Sequence, residues 1–347
     1  MKLIKKEIGY INTEPNYNTE EADKLFDKYS GIVEYLENYD LAGTKWITFN
    51  IPKRSSGFRT ITAPDESLKS LQRDVIHLLR DDFRIEEHEC SYAYIKNRSS
   101  TDANYAHTNN KSNWFLKIDI KDFFNSIRTQ DIRAAINTVY PTCNMRKDYQ
   151  DRLENVINKI SCKENCIPQG GVSSPFISNW VMVSYLYNIK ELINTLQNSI
   201  LQKQNYTITC YADDIYISAV DKFDWNKLVK EIDKLLAPTF KINYDKVKFV
   251  RNRGKNFMLG KMVNKDYQIT QGWRKVTQWK HIFLDLCNEI NGYKDRCSSY
   301  ERTELYGKLL WDFNTQKDYL EYLIEKYEKK YTNNKSIINY LKKGEIL

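Results

Sequence analysis

Two adjacent aspartates, Asp213 and Asp214, follow Tyr211 and Ala212 between two β-prone runs, YTITC at 206–210 and IYISA at 215–219. The pattern predicts a hairpin with both carboxylates at its tip. Like charges side by side repel and lose hydration, so cations must offset them. Adjacent carboxylates on a tight turn suit hard divalent ions such as Mg²⁺, which take oxygen ligands. An exposed acidic turn would show the same letters, since Asp is a common turn residue. A third acid, Asp119, lies near the end of WFLKIDI at 114–120, a run apolar on both faces apart from Lys117 and Asp119 that reads as a central strand. Phosphoryl transfer needs three carboxylates of this kind, holding two metals roughly 3.5–4 Å apart to activate an attacking hydroxyl and stabilise a leaving pyrophosphate.

The elements that must position these acids follow in chain order. Polar residues with apolar positions Leu25, Phe26, Tyr29, Ile32, Val33 and Leu36 predict an N-terminal helix. WITFNIP at 46–52 and the run 58–63 predict two strands around a basic turn that starts at Lys53 and contains Gly57. Such a hairpin, with Arg59 on its return strand, can close over an anionic ligand, or it is simply an exposed basic hairpin. Leu68, Leu71, Val75, Ile76, Leu78 and Leu79 fall on one helical face. Asp122 is a candidate cap for a helix opening at Phe123 and Phe124. A polar helix over 145–160 leads into CIPQGG at 166–171, where adjacent glycines let backbone approach a ligand closely, and then into an apolar helix from Phe176 to Leu192. Further helix is expected over 225–236, a strand-like run over 240–250, and mainly helix in the last eighty residues.

Composition bounds the rest. A chain of 347 residues can bury a large core in two or three subdomains. Neither an apolar run of membrane-spanning length nor an apolar leader is present, so the expectation is a cytoplasmic protein with no membrane partner. Seven scattered cysteines, with one C-x3-C at Cys162 and Cys166, read as reduced thiols rather than zinc ligands or disulfides. The net charge of +8 is C-terminal: residues 251–347 carry 19 basic against 12 acidic side chains. From Lys241 to Lys280 the basic residues interleave with Phe249, Phe257, Tyr267, Trp273 and Trp279, which suits phosphate contact and base stacking as well as a solvated helix face.

Taken in order, these pieces resemble a reverse transcriptase of the compact bacterial kind found in retrons, group II introns and phage-defence systems. The likeness spans about Phe49 to Gly260 and rests on FLKIDIKDFF at 115–124, PQGGVSSP at 168–175 and YADD at 211–214. It implies an α+β right-hand polymerase: an N-terminal helical extension (1–40), fingers and palm (41–267) with an antiparallel palm sheet, and a helical thumb and RNA-binding region (268–347). By resemblance, Asp119, Asp213 and Asp214 bind two Mg²⁺ ions, with Ile120 in the same metal site. Lys53 and Arg59 grip the nucleotide triphosphate, Phe124 is the bulky gate against a ribose 2′-hydroxyl, and Gln169, Gly170 and Tyr211 line the substrate. Lys246, in an N-x-x-K pattern with Asn243, is the proton donor to pyrophosphate, and the run 257–260 resembles the primer-grip hairpin. The retron elements N-A-x-x-H and V-T-G match at His107 and Gly260. The implied activity is RNA-directed DNA synthesis from dNTPs on a structured non-coding RNA, in an anti-phage system with an effector protein as candidate partner. Untemplated or protein-primed DNA synthesis is the alternative, and an inactive nucleic-acid-binding module a third.

Overall fold

In the computed structural model the described residues are 30–53, 57–82, 87–139, 147–197 and 205–270, with single helical positions at 277, 280, 281, 283, 284, 287, 322, 323 and 325–327. The chain divides into two compact units, residues 1–251 and 252–347.

The first unit opens on a helical stretch at 30–38 that buries Val33 and Leu36; Leu25, Phe26 and Tyr29 lie outside the described residues. Strands β1 (Trp46–Pro52) and β2 (Phe58–Pro64) form the expected two-stranded antiparallel hairpin. Asp65 then caps helix α1 (Glu66–His77), accepting from the Leu68 amide at 2.9 Å. Leu68, Leu71 and Val75 are buried on one face of α1 as their spacing requires. Helix α2 (Ser100–Asn109) starts with a reciprocal capping box between Ser99 and Asp102.

The functional sheet has four strands in the order β4-β5-β3-β6, every pairing antiparallel: β3 (Trp114–Asp119), β4 (Tyr206–Tyr211), β5 (Asp214–Ala219) and β6 (Lys248–Arg251). Central β3 pairs on both sides, which is why its side chains are mostly buried on both faces. Helices α4 (Thr129–Val139), α5 (Lys147–Ser161), α6 (Ser174–Gln197) and α7 (Trp225–Leu236) supply the rest of the core. Helix α6 buries Phe176, Ile177, Trp180, Val181, Met182, Leu186, Ile189 and Ile193, positions that cover more than one face, so it is an interior element. Helices and antiparallel sheets segregated in this way make the fold α+β.

Two local expectations need correcting. Asp122 makes no capping side-chain bond; its backbone is left-handed (φ 48°), and the helix after it, α3 (Phe123–Ser126), is a single turn. The strand-like run at 240–250 is strand only from Lys248, because Tyr244–Lys246 forms a 3₁₀ turn. Cys90, Cys162, Cys166, Cys210 and Cys287 are free thiols, and burial pushes Cys162 and Cys287 up to about 12. No helix among the described residues is long and apolar enough to cross a membrane.

His107, on α2, is wholly buried and braces β4 to β5. Its Nε2 lies 2.8 Å from the Thr209 hydroxyl and its Nδ1 2.6 Å from that of Ser218. Ser218 donates onward to Ser112, so Nδ1 carries the proton and Nε2 accepts from Thr209. Burial lowers the imidazole to about 3 from 6.5, so it stays neutral when folded and becomes protonated below pH 6.5 only when the chain unfolds. The unfolded state then binds the extra proton, and stability falls as pH drops from 6.5 toward 3. The expected loss is about 2 kcal/mol between pH 6.5 and 5. Urea midpoints across that range check it: a His107→Gln variant that keeps the wild-type pH slope would show that this imidazole is not the cause.

The second unit's described part includes a three-stranded antiparallel sheet, β7 (Asn256–Met258), β8 (Lys261–Val263) and β9 (Ile269–Thr270). Leu259 and Gly260, both at positive φ (50° and 78°), make the two-residue turn between β7 and β8. Of Leu284, Leu286, Leu305, Leu309, Leu310, Leu320 and Leu323, candidate core positions of the tail, only Leu284 and Leu323 are among the described residues.

Candidate active site

Sheet register builds the acidic cluster. Tyr211 pairs with Asp214 across the turn, and Asp119 stands directly opposite Asp214 on the neighbouring strand. The Ile120 amide donates to the Asp213 carbonyl at 2.8 Å, which ties the end of β3 to the turn. Ala212, at φ 54°, makes the turn tight enough to present both acids. One ligand atom from each of Asp119, Asp213 and Asp214 falls within 4.8 Å of the others.

Two lysines partly neutralise this charge. Lys117 Nζ lies 2.7 Å from Asp214 Oδ2. Lys246 Nζ lies 3.0 and 3.1 Å from the two oxygens of buried Asp119. The second contact comes from the 3₁₀ turn. Residues 241–243 run antiparallel to 119–121, with Lys121 N donating to Lys241 O and Asn243 N to Asp119 O, both at 2.8 Å. The turn then swings Lys246 back over the carboxylate. Desolvation, with the neighbouring acids, raises the Asp213 and Asp214 carboxyls above the usual aspartate range, and Lys117 pulls both partway back. Burial opposes the Lys117 charge, but its hydrogen bond to Asp214 and the influence of Tyr216 outweigh it, so the ammonium is held above the usual lysine range.

The donor set fits a hard divalent cation. All three side chains offer oxygen and none sulfur, and Asp214 Oδ1 is buried with no hydrogen-bond partner among the described residues. A buried oxygen left unpaired is costly unless a cation satisfies it.

The remaining predicted residues lie on the β1–β2 hairpin, on the PQGG loop and directly after β3. Ile120 is buried directly after Asp119. Gln169 and Gly170 are pinned to the β1–β2 hairpin: the Thr62 amide donates to the Gln169 carbonyl at 2.8 Å, and Gly170 adopts φ 120° against Ile61 and Thr62. Phe124 packs edge-on against Phe123, centroids 5.4 Å apart. Arg59 sits exposed on β2, paired with Ile51, and its charge, like that of Asp213, acts on the Tyr94 phenol. Lys53 stays exposed beside the hairpin turn and makes no ion pair with the acids among the described residues.

Sequence reasoning passed over four positions. Lys117 sat in plain view in the strand motif. Gln72, fully buried on α1, donates to the Ile160 carbonyl at 3.0 Å and accepts from the Val172 amide at 2.7 Å, so it orients the PQGG loop. A lone amide between Leu71 and Val75 was its only signal. Asn179 donates to the Ala93 carbonyl at 2.8 Å. Tyr94, held by that contact, faces Phe124.

Comparison with known proteins agrees with this geometry. The family described as "Reverse transcriptase (RNA-dependent DNA polymerase)" matches residues 51–284. The retron Ec73 reverse transcriptase of Escherichia coli is 31% identical over 233 residues, 65% of this chain and 70% of that protein. The retron Ec83 reverse transcriptase of Escherichia coli is 24% identical over 313 residues, 87% of this chain and 92% of that protein. Among solved structures, apo telomerase from Candida tropicalis has a TM-score of 0.47 at 12% identity, covering 86% of this chain and 62% of that one.

Proposed function

We propose that this chain, which belongs to the reverse transcriptase family and is an RNA-directed DNA polymerase of the bacterial retron type, copies a structured non-coding RNA into DNA by two-metal nucleotidyl transfer. The observation that supports the mechanism is the convergence of Asp119, Asp213 and Asp214 within 4.8 Å around an unsatisfied buried oxygen. Asp119, Asp213 and Asp214 would hold two Mg²⁺ ions, which when bound would supply the positive charge that favours ionisation of an attacking 3′-hydroxyl and offsets the charge of the departing pyrophosphate.

The chain's own residues do the rest. Asp119 and Asp213, with the backbone at Ile120, would hold the cations, and Asp214 would complete the set while Lys117 keeps it oriented. Arg59 and Lys53 bind the triphosphate as the hairpin closes, Arg59 offering two parallel donors to phosphate oxygens. Gln169 and Gly170 lay backbone against the nucleotide, and Tyr211 supports it from the end of β4. Lys246, already beside Asp119, transfers an Nζ proton to the pyrophosphate oxygen as the P–O bond breaks. The β7–β8 hairpin of the second unit takes the primer-grip role, and the region after β9 that of a thumb binding RNA.

Phe124 crowds the position of a ribose 2′-hydroxyl. Phe124→Ala should cut the preference for dNTP over rNTP by about tenfold or more. Competition between labelled dTTP and UTP on one primer-template measures it, and an unchanged ratio removes Phe124 from the gate.

Sequencing every nucleic acid that co-purifies with the chain from its native locus tests the templated reading. A DNA complementary to one structured RNA is the expected result. DNA without a matching RNA, joined to the protein, would establish untemplated, protein-primed synthesis instead. The anti-phage role and an effector partner rest on the family resemblance; plaque counts that do not differ between the wild-type and Asp213→Asn loci would reject that role.

A further inference from the structure

Tyr94 stands beside the site with no task assigned to it. Its ring is tilted 49° to that of Phe124 at a centroid distance of 6.3 Å. Half of the residue is exposed. Burial raises its phenol above the usual tyrosine range, Asp213 and Tyr211 add to the rise and Arg59 opposes it.

The backbone is built to hold it there. Tyr94 has φ 62°, in the left-handed region that is costly for a residue with a bulky side chain and persists only where the surroundings over-determine it. Here they do. The Tyr92 amide donates to Cys210 O at 2.9 Å, and the Cys210 amide to Cys90 O at 2.7 Å, so the segment rides on β4 just before the aspartate turn. Arg98 gathers the carbonyls of His88 and Ser91 at 3.0 and 2.7 Å. Buried Asn179 grips the carbonyl of Ala93, immediately before Tyr94. A tyrosine kept only for packing would turn its ring into the core; this one is strained into a half-exposed position beside the ring of Phe124.

We propose that Tyr94 forms a second aromatic wall of the nucleotide pocket, its ring standing with that of Phe124 against the sugar of the incoming nucleotide, so that it sets nucleotide affinity and helps to reject a ribose. The assignment rests on the polymerase reading of the site. The ring matters more than the hydroxyl, because contact with a sugar face is apolar packing.

The test is steady-state incorporation by the full chain on poly(rA) primed with oligo(dT), with dTTP and with UTP. Tyr94→Ala is compared with Tyr94→Asn, whose side chain suits the left-handed region and guards against misfolding. Both should raise the KM for dTTP by about tenfold, leave kcat much less affected, and narrow the dTTP to UTP preference. Tyr94→Phe should restore affinity and selectivity. Wild-type KM and selectivity in the Ala and Asn variants would overturn the proposal. So would a loss confined to kcat, or a Phe variant no better than Ala. A wild-type chain that incorporates nothing would instead fail the polymerase reading, and this proposal with it.

Discussion

Asp213→Asn should abolish Mg²⁺-dependent dNTP incorporation, a fall of about three orders of magnitude or more, since several kcal/mol of transition-state stabilisation depend on cations that an amide holds poorly. The substitution keeps the size and shape of the side chain. The backbone bond from Ile120 to the Asp213 carbonyl is untouched, so the hairpin persists. Stability should move the other way. The Asp213 carboxyl is raised by desolvation and by Asp119, so in the metal-free chain its charge opposes folding at neutral pH, and a neutral amide relieves that opposition. Primer extension with Mg²⁺ present, set beside calorimetry of the metal-free chain, should show a dead enzyme with an equal or higher Tm. Retained incorporation would sink the catalytic assignment, and a lowered Tm would mean that the carboxylate is needed structurally.

Gly170→Ala should be nearly as damaging to activity, for a reason with no chemistry in it. A Cβ there would lie 2.7 Å from Ile61 Cγ2 and 2.8 Å from the Thr62 carbonyl oxygen, at a backbone φ of 120° that side chains rarely adopt. The oxygen is backbone in β2 and cannot rotate away. Relief requires the PQGG loop to leave the hairpin, breaking the bond from Thr62 N to Gln169 O. A displacement of the order of 1 Å between Arg59 and the carboxylates is worth about a hundredfold in kcat/KM, and the strain about 1–3 kcal/mol in stability. Gly31→Ala, where an added Cβ meets nothing within 4 Å, is the matched control and should not lower Tm. Wild-type kinetics for Gly170→Ala would show that loop and hairpin are not coupled.

What could be read from sequence was local. Alternation and turn chemistry predicted β3 and the β4–β5 hairpin, and a hairpin with two acids at its tip needs only a neighbouring strand ending in a third. The helical face of Leu68, Leu71 and Val75 was equally plain, because 3.6-residue spacing carries it. What escaped was pairwise and distant. Lys117 meets Asp214 across 97 positions, and no pattern within either strand says so. The β-prone residues of 240–250 hid the 3₁₀ turn that brings Lys246 onto Asp119, a choice made by the backbone bonds to 119–121 and not by local propensity. Tyr94 was invisible for a third reason: nothing in the letters SYAYIKN reports a left-handed backbone. Gln72 looked like an ordinary polar interruption of an apolar face.

The pairing of Asp119 opposite Asp214 also governs how such a gene can change in length. Side chains alternate faces along a strand, so one codon gained or lost between Trp114 and Asp119 would turn Asp119 to the opposite face of the sheet, and the apolar side chains between the change and Asp119 would swap one packed face for the other. The same holds between Asp214 and Ala219. Insertions and deletions are therefore purged from these two short stretches far more strictly than point changes among Ile, Leu and Val. Lineages descended from this chain should keep their spacing there to the residue and spend their length variation on loops.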